Sequence, residues 1–284
     1  MKRGANMKKT ILTGASFLMF AFAMPAMSWN PNVSSQEVPN FEAALPLTAE
    51  AEVELESTVV KESAEDSYEK YVNEIYDAAD LRRAGLKKDI FKRAIVGYHN
   101  LKLAGQVSPY KSVLSIVDFN KSGKNKRFWT IDLKAKKLVF NSLVAHGQGS
   151  GGDKPFAFSN KPNSHQSSLG FYVTDKTYYG VHGLALRLDG VDKGFNTNAR
   201  NRAIVVHGAD YVSKDFIKAN GYLGRSFGCP VLPSDLTPKV INVIKEKTVL
   251  YIEGPESKYT SVYLNRDKAI AHYASQTESL QASL

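Results

Sequence analysis

Between Tyr68 and Ala104, apolar residues recur every three or four positions: Tyr71, Ile75, Leu81, Leu86, Ile90, Phe91, Ala94 and Ile95. That period predicts two amphipathic helices, with a break at Gly85, packed onto a larger body. After Pro109 the period shortens. Val113 to Phe119 alternates apolar residues with Ser and Asp, and a Lys-Ser-Gly-Lys turn follows at 121–124. Phe128 to Leu133 and Lys137 to Val144 then read as a hairpin. Further strands are expected at Gly170 to Thr174, Gly180 to Leu188, Ala203 to Val206 and Val249 to Ile252. One late helix begins at Thr237-Pro238, with proline in its first turn and Val240, Val243 and Ile244 on one face. Many short strands over about 150 residues predict a mainly β body, a sandwich or barrel-like pair of sheets, carrying an N-terminal helical extension.

The ends of the chain differ in composition from this body. Lys8 and Lys9 precede an apolar run from Ile11 to Met27, closed by small residues at Ala26 and Ser28. This is the pattern of a cleaved export signal over 1–28, with Met7 a candidate start. Residues 29–67 hold nine acids against one lysine and few aromatics, a composition expected of a disordered acidic linker. The helical extension is then placed at 68–107, the β body at 108–255, and a polar, Ser- and Gln-rich tail at 256–284, either loose or a terminal surface helix. Once the signal is removed, no membrane span is expected. Residues 68–284 carry 32 basic and 19 acidic side chains. In an exported protein that balance suits anionic envelope polymers or carboxylate-rich substrates rather than nucleic acid, although a basic surface also aids solubility. The sequence sets no oligomeric state.

Cys229 is the only cysteine, and it sits in the turn-like stretch Gly224-Arg225-Ser226-Phe227-Gly228-Cys229-Pro230. An intrachain disulfide and a cysteine zinc cluster are thereby excluded. A single thiol in an exported chain suggests a reactive group or an intermolecular partner, and the alternative is a buried structural cysteine beside a satisfied strand histidine. Upstream, Ala203 to Asp210 reads AIVVHGAD, so that His207 ends a β-like run and Gly208 follows it. An imidazole fixed at a sheet edge can take the proton of a thiol, and Gly208 leaves room for a backbone or a substrate. Backbone amides of the Phe227-Gly228-Cys229 turn can face an oxyanion. His182, in Gly180 to Leu188, is likewise strand-embedded and followed by glycine. Spacing alone does not choose between His182 and His207 as base.

The order His-Gly, loop, Ser-x-Gly-Cys resembles the signature of the L,D-transpeptidase (YkuD-type) catalytic domain, over roughly 110–254 and most specifically from His207 to Pro230. The resemblance implies a mostly β envelope enzyme that cross-links peptidoglycan. In it Cys229 would be the nucleophile and His207 the base, with Ser226, Gly228 and the Cys229 backbone shaping the oxyanion site. Phe227 stands where the commonest family motif has a second histidine, and Val231 where it has Arg or Asn. The motif RSFGCP therefore resembles a divergent S-x-G-C-P branch. Arg225 is a candidate carboxylate-binding group, and His182, Phe227 and Gly208 are candidate substrate-contacting positions. The implied chemistry cuts a stem tetrapeptide before its terminal D-Ala through a thioester and needs no metal or organic cofactor. An amine acceptor gives a cross-link, water gives an L,D-carboxypeptidase, and a non-catalytic peptidoglycan-binding protein is the third reading.

The remaining candidates carry less. His146 lies in the glycine-rich stretch Ala145 to Pro155, which lacks a phosphate-loop pattern and reads as a surface or cleft-framing loop. The histidines show no HExxH spacing, so no metal site is expected. Residues Asp192 to Arg202 read as a polar loop whose Arg200 and Arg202 could meet anionic peptides.

Overall fold

The computed structural model describes residues 62–281. The expected export signal and most of the acidic linker lie outside these residues. Among the described residues, no helix is long and apolar enough to cross a membrane.

The helical pattern resolves into α1 (Ala64–Ala78) and α2 (Lys88–Leu103). Ser63 caps α1 by accepting the Asp66 amide, and Glu65 and Asp66 in the first turn suit the positive end of the helix. Tyr68, Val72, Ile75 and Tyr76 form its buried stripe. Gly85, at φ +76°, turns the chain between the helices. On α2, Gly97 is the point of closest approach to the sheet. A Cβ there would come within 2.0 Å of the Phe171 ring.

The body is one eight-stranded sheet. Its strands are β1 (Val113–Asp118), β2 (Phe128–Asp132), β3 (Lys137–Ser142), β4 (Gly170–Gly180), β5 (Gly183–Gly190), β6 (Val205–Gly208), β7 (Val231–Leu232) and β8 (Val249–Glu253). They run in the order β3-β2-β1-β8-β4-β5-β6-β7. The pairs β1/β8 and β6/β7 are parallel, and the other pairs are antiparallel. Bridges at Ala145↔Val231 and Gly147↔Ser226 bring the chain beyond β3 round to β7, so the sheet curls into a near-barrel. The buried core includes Leu114, Ile116, Trp129, Phe171, Leu186, Val206 and Tyr251, and Phe171 faces α2.

Three α-helices follow β6: the expected one at Thr237, the tail as a terminal helix, and one that was not expected. The predicted one is α4 (Thr237–Ile244), with Pro238 in its first turn and Val240, Ile241 and Ile244 buried. The short α3 (Lys214–Asn220) buries no residue, so no apolar stripe announced it. The tail forms α5 (Arg266–Gln281) and packs on α1 and α2. Tyr273 of α5 stacks on Tyr71 at 4.7 Å, and Arg266 pairs with Glu65 and Glu69. Strand β4 also continues past Thr174 through a bulge, and its outer half with β5 forms a projecting hairpin.

Candidate active site around Cys229

The parallel pairing of β6 and β7 sets His207 beside Val231 and Gly208 beside Leu232. Counting back two residues on the β7 side, Cys229 comes level with Val205. The thiol confirms that register: its Sγ accepts the Val205 amide at 3.4 Å and donates to the Ala203 carbonyl at 3.7 Å. His207 lies two residues farther along the same strand, about 6.6 Å by strand rise. Its Nδ1–H donates to the Gly208 carbonyl at 3.1 Å, which leaves the Nε2 lone pair free. Among the described residues no hydrogen bond joins Sγ to an imidazole; the thiol rests on backbone partners instead.

Burial decides the protonation of both groups. It pushes the Cys229 thiol up, opposed by the Val205 amide and the Arg202 charge. It pushes His207 down, and the neighbouring His182 adds to that. The resting pair is therefore a neutral thiol and a neutral imidazole.

The cysteine turn is held from inside. Ser226 Oγ donates to the Cys229 carbonyl at 2.7 Å and accepts the Gly228 amide at 3.1 Å. The Ser226 amide donates to the His146 carbonyl, and the Gln148 amide donates back to the Ser226 carbonyl. With its amide occupied by Ser226, Gly228 has no free donor for an oxyanion. The Cys229 amide has no acceptor among the described residues. Gly228 is at φ +125°, and a side chain there would meet the Gln166 carbonyl at 2.8 Å.

Beneath the turn lies a pair the sequence did not reveal. Arg127 is fully buried, and its guanidinium donates to the carbonyls of Val144 and Lys121 and to Nδ1 of His146 at 2.8 Å. Burial lowers Arg127 to about 10, while burial and the Arg127 charge lower His146 to about 4. His146 is thus a neutral core residue and not part of a surface loop.

The other expected positions fall as follows. His182, at the exposed hairpin tip, stacks on His207 with ring centres 4.4 Å apart. Gly208 makes room for protein: a Cβ there would meet Thr237 Oγ1 at 2.9 Å and Ser234 Cα at 3.0 Å. Arg225 donates to the Gly151 carbonyl and lies over Tyr222. Phe227 is 65% exposed and stacks on His165. Arg200 is paired with Asp175 and Asp189. Arg202 reaches the site, where it donates to the Ser159 and Gln166 carbonyls and to the hydroxyls of Ser164 and Ser168. It therefore straps the 159–168 loop against Gly228. Arg187 instead packs on Tyr178, out on the hairpin.

The family model for the L,D-transpeptidase catalytic domain matches residues 82–252, more than half of the chain. No curated protein sequence matches it. Similar solved structures include an L,D-transpeptidase from Mycobacterium smegmatis, 13% identical, with a TM-score of 0.32, covering 50% of this chain and 59% of that one. The helical cell shape determining protein Pgp2 from Campylobacter jejuni is 13% identical, with a TM-score of 0.34 and coverage of 61% and 60%. An L,D-transpeptidase from Xylanimonas cellulosilytica is 13% identical, with a TM-score of 0.29 and coverage of 64% and 91%. The chain spans about six-tenths of the mycobacterial relative's length.

Proposed function

From the premise that the chain belongs to the L,D-transpeptidase catalytic-domain family, we propose that it is an exported cysteine acyltransferase acting on peptidoglycan stem peptides. The observation that carries this reading is the tautomer of His207. Its Nδ1–H is committed to the Gly208 carbonyl, so Nε2 is the base, on the strand that also holds the Cys229 thiol.

The thiol begins neutral and bonded to Ala203, so it swings toward His207 when substrate enters. Nε2 takes its proton as sulfur attacks the carbonyl carbon before the terminal D-Ala. The Cys229 amide faces the oxyanion that forms. The C–N bond then breaks, and His207 returns the proton to the departing amine. The enzyme is left as a thioester on Cys229. An amine of a second stem attacks that thioester and gives up a proton through His207, forming an amide and restoring the thiol. Water in place of the amine gives the carboxypeptidase outcome. His182, stacked on His207, is placed to contact the bound peptide.

The test is mass spectrometry of the protein incubated with a disaccharide tetrapeptide. An acyl adduct on Cys229 with release of D-Ala is expected, and neither is expected in Cys229→Ala. The products then separate cross-linking from hydrolysis. An intact tetrapeptide and an unmodified Cys229 in folded protein would overturn the reading. In that case unchanged cell-wall binding by Cys229→Ala would favour a binding protein.

A further inference from the structure

Next to the cysteine turn stands an imidazole that the proposed chemistry leaves unused. His165 stacks on Phe227, two residues before Cys229, with ring centres 4.3 Å apart and planes 23° from parallel. Both rings reach the surface, and Phe227 is 65% exposed.

The surrounding chain holds His165 in a costly conformation. Its φ is +53°, a region that non-glycine residues seldom occupy. Its carbonyl accepts the Gly149 amide at 2.9 Å. Gly147 is wedged beside it, since a Cβ there would lie 2.4 Å from the His165 oxygen and 2.9 Å from Gly228 Cα. The His165 backbone and the cysteine turn therefore touch across a single glycine. The ring is oriented as well. The Gln148 side-chain amide nitrogen, which can only donate, lies 3.4 Å from Nδ1. Nδ1 thus accepts, and in the neutral ring the proton sits on Nε2.

Two arginines flank the cysteine turn. Arg202 Nη2 lies 3.2 Å from where a Gly228 Cβ would be, and Arg225 is two residues before Phe227. Among the described residues, no carboxylate is a hydrogen-bond partner of His165, Arg202 or Arg225. An oriented N–H beside an exposed aromatic face, near two arginines, suits an anionic acceptor.

We propose that His165 is a substrate-binding residue whose Nε2–H takes a carboxylate oxygen of a peptide lying across Phe227. The identity of the peptide rests on the function proposed above, whereas the preference for a carboxylate rests on this geometry.

The experiment compares wild type, His165→Asn and Phe227→Leu on a stem tetrapeptide and on the same peptide with its carboxylates amidated. Asparagine tolerates the left-handed backbone, so His165→Asn removes the ring and keeps the loop. Phe227→Leu leaves His165 in place and removes its support. Wild type is expected to show a KM about tenfold lower for the free carboxylates. His165→Asn is expected to lose that preference through KM, with kcat within about twofold, and Phe227→Leu to lose part of it. Undiminished preference in both variants, or a loss confined to kcat, overturns the proposal. A wild-type protein that turns over neither peptide overturns the functional reading instead. The inference is then decided by Cys229 alkylation with iodoacetate relative to iodoacetamide. That ratio falls about tenfold in His165→Asn if the imidazole gathers carboxylates, and an unchanged ratio sinks the idea.

Discussion

Arg127 Nη2 donates a 2.8 Å hydrogen bond to Nδ1 of His146, and the His146 carbonyl in turn accepts the Ser226 amide of the cysteine turn. A guanidinium buried without a carboxylate partner is costly. Here it is satisfied by the carbonyls of Val144 and Lys121 and by an imidazole held neutral. Arg127→Met leaves these acceptors without that donor in a buried site. The expected loss is about 3 kcal/mol of stability, read by urea denaturation. Arg127→Lys keeps a charge but not the fork, and should fall between the two.

Ser226→Ala tests the turn itself. The hydroxyl joins the Gly228 amide to the Cys229 carbonyl, so its loss frees the turn that orients sulfur and the Cys229 amide. Two hydrogen bonds at about 1 kcal/mol each bound the stability cost. Turnover is expected to fall at least tenfold through kcat, while the urea midpoint moves only modestly. Equal turnover in wild type and variant would place the serine outside the machinery.

Much of this arrangement could be read along the chain. The apolar period of α1 and α2 and Pro238 at the start of α4 each reflect a local rule, and the structure keeps them, whereas β1 and β2 form with their polar Ser115, Asp118 and Thr130 buried too. The lone Cys229 and the His207-Gly208 pair were legible because their residue types are chemically unusual in a strand and a turn. Arg127 and His146 were not. Arg127 follows Lys124, Asn125 and Lys126 and reads as part of a solvated turn, yet the closing of the near-barrel buries it. His165 was only one of the histidines without metal-ligand spacing. Its role depends on Gly147 and Phe227, which are distant in sequence, and only tertiary contact joins them. The tail, legible as either loose or a surface helix, takes the second form: α5 docks through Ala269, Tyr273 and Arg266.

Gly97 makes the helical layer testable. The Phe171 ring lies 2.0 Å from where an alanine Cβ would stand, so Gly97→Ala gains intrinsic helix propensity yet must push α2 off the sheet. Overpacking of this kind costs about 1–3 kcal/mol, more than the gain of about 1 kcal/mol. A lower thermal midpoint is expected, together with partial recovery in Gly97→Ala/Phe171→Leu. A more stable single variant would show that the layer yields freely.

The depressed His207 and the raised Cys229 set the pH behaviour of the site. Free thiolate accumulates only above the ordinary cysteine range. Iodoacetamide labelling of Cys229 should therefore climb with pH along a curve displaced upward from that of a small thiol. Turnover should hold on the acid side to a pH below the ordinary imidazole range, because His207 stays unprotonated there. Rapid labelling near neutral pH, flat across this window, would indicate a preformed thiolate and refute the neutral resting pair.

His99 governs acid stability. It is buried among Tyr68, Tyr71, Tyr98 and Tyr273, both ring nitrogens have no hydrogen-bond partner among the described residues, and burial lowers it to about 3. An unfolded imidazole binds its proton near pH 6.5. Between that pH and about 3 the unfolded chain carries a proton that the folded chain refuses. Stability from this group is thus fully present above about pH 6.5 and declines as pH falls, by up to about 1.4 kcal/mol per unit. His146, lowered to about 4, adds a similar slope over a shorter window. His99→Phe keeps an aromatic ring and removes the titration, so its urea midpoint should decline less steeply than that of wild type between pH 6.5 and 4. Parallel declines in the two proteins would mean that His99 is already protonated in the fold.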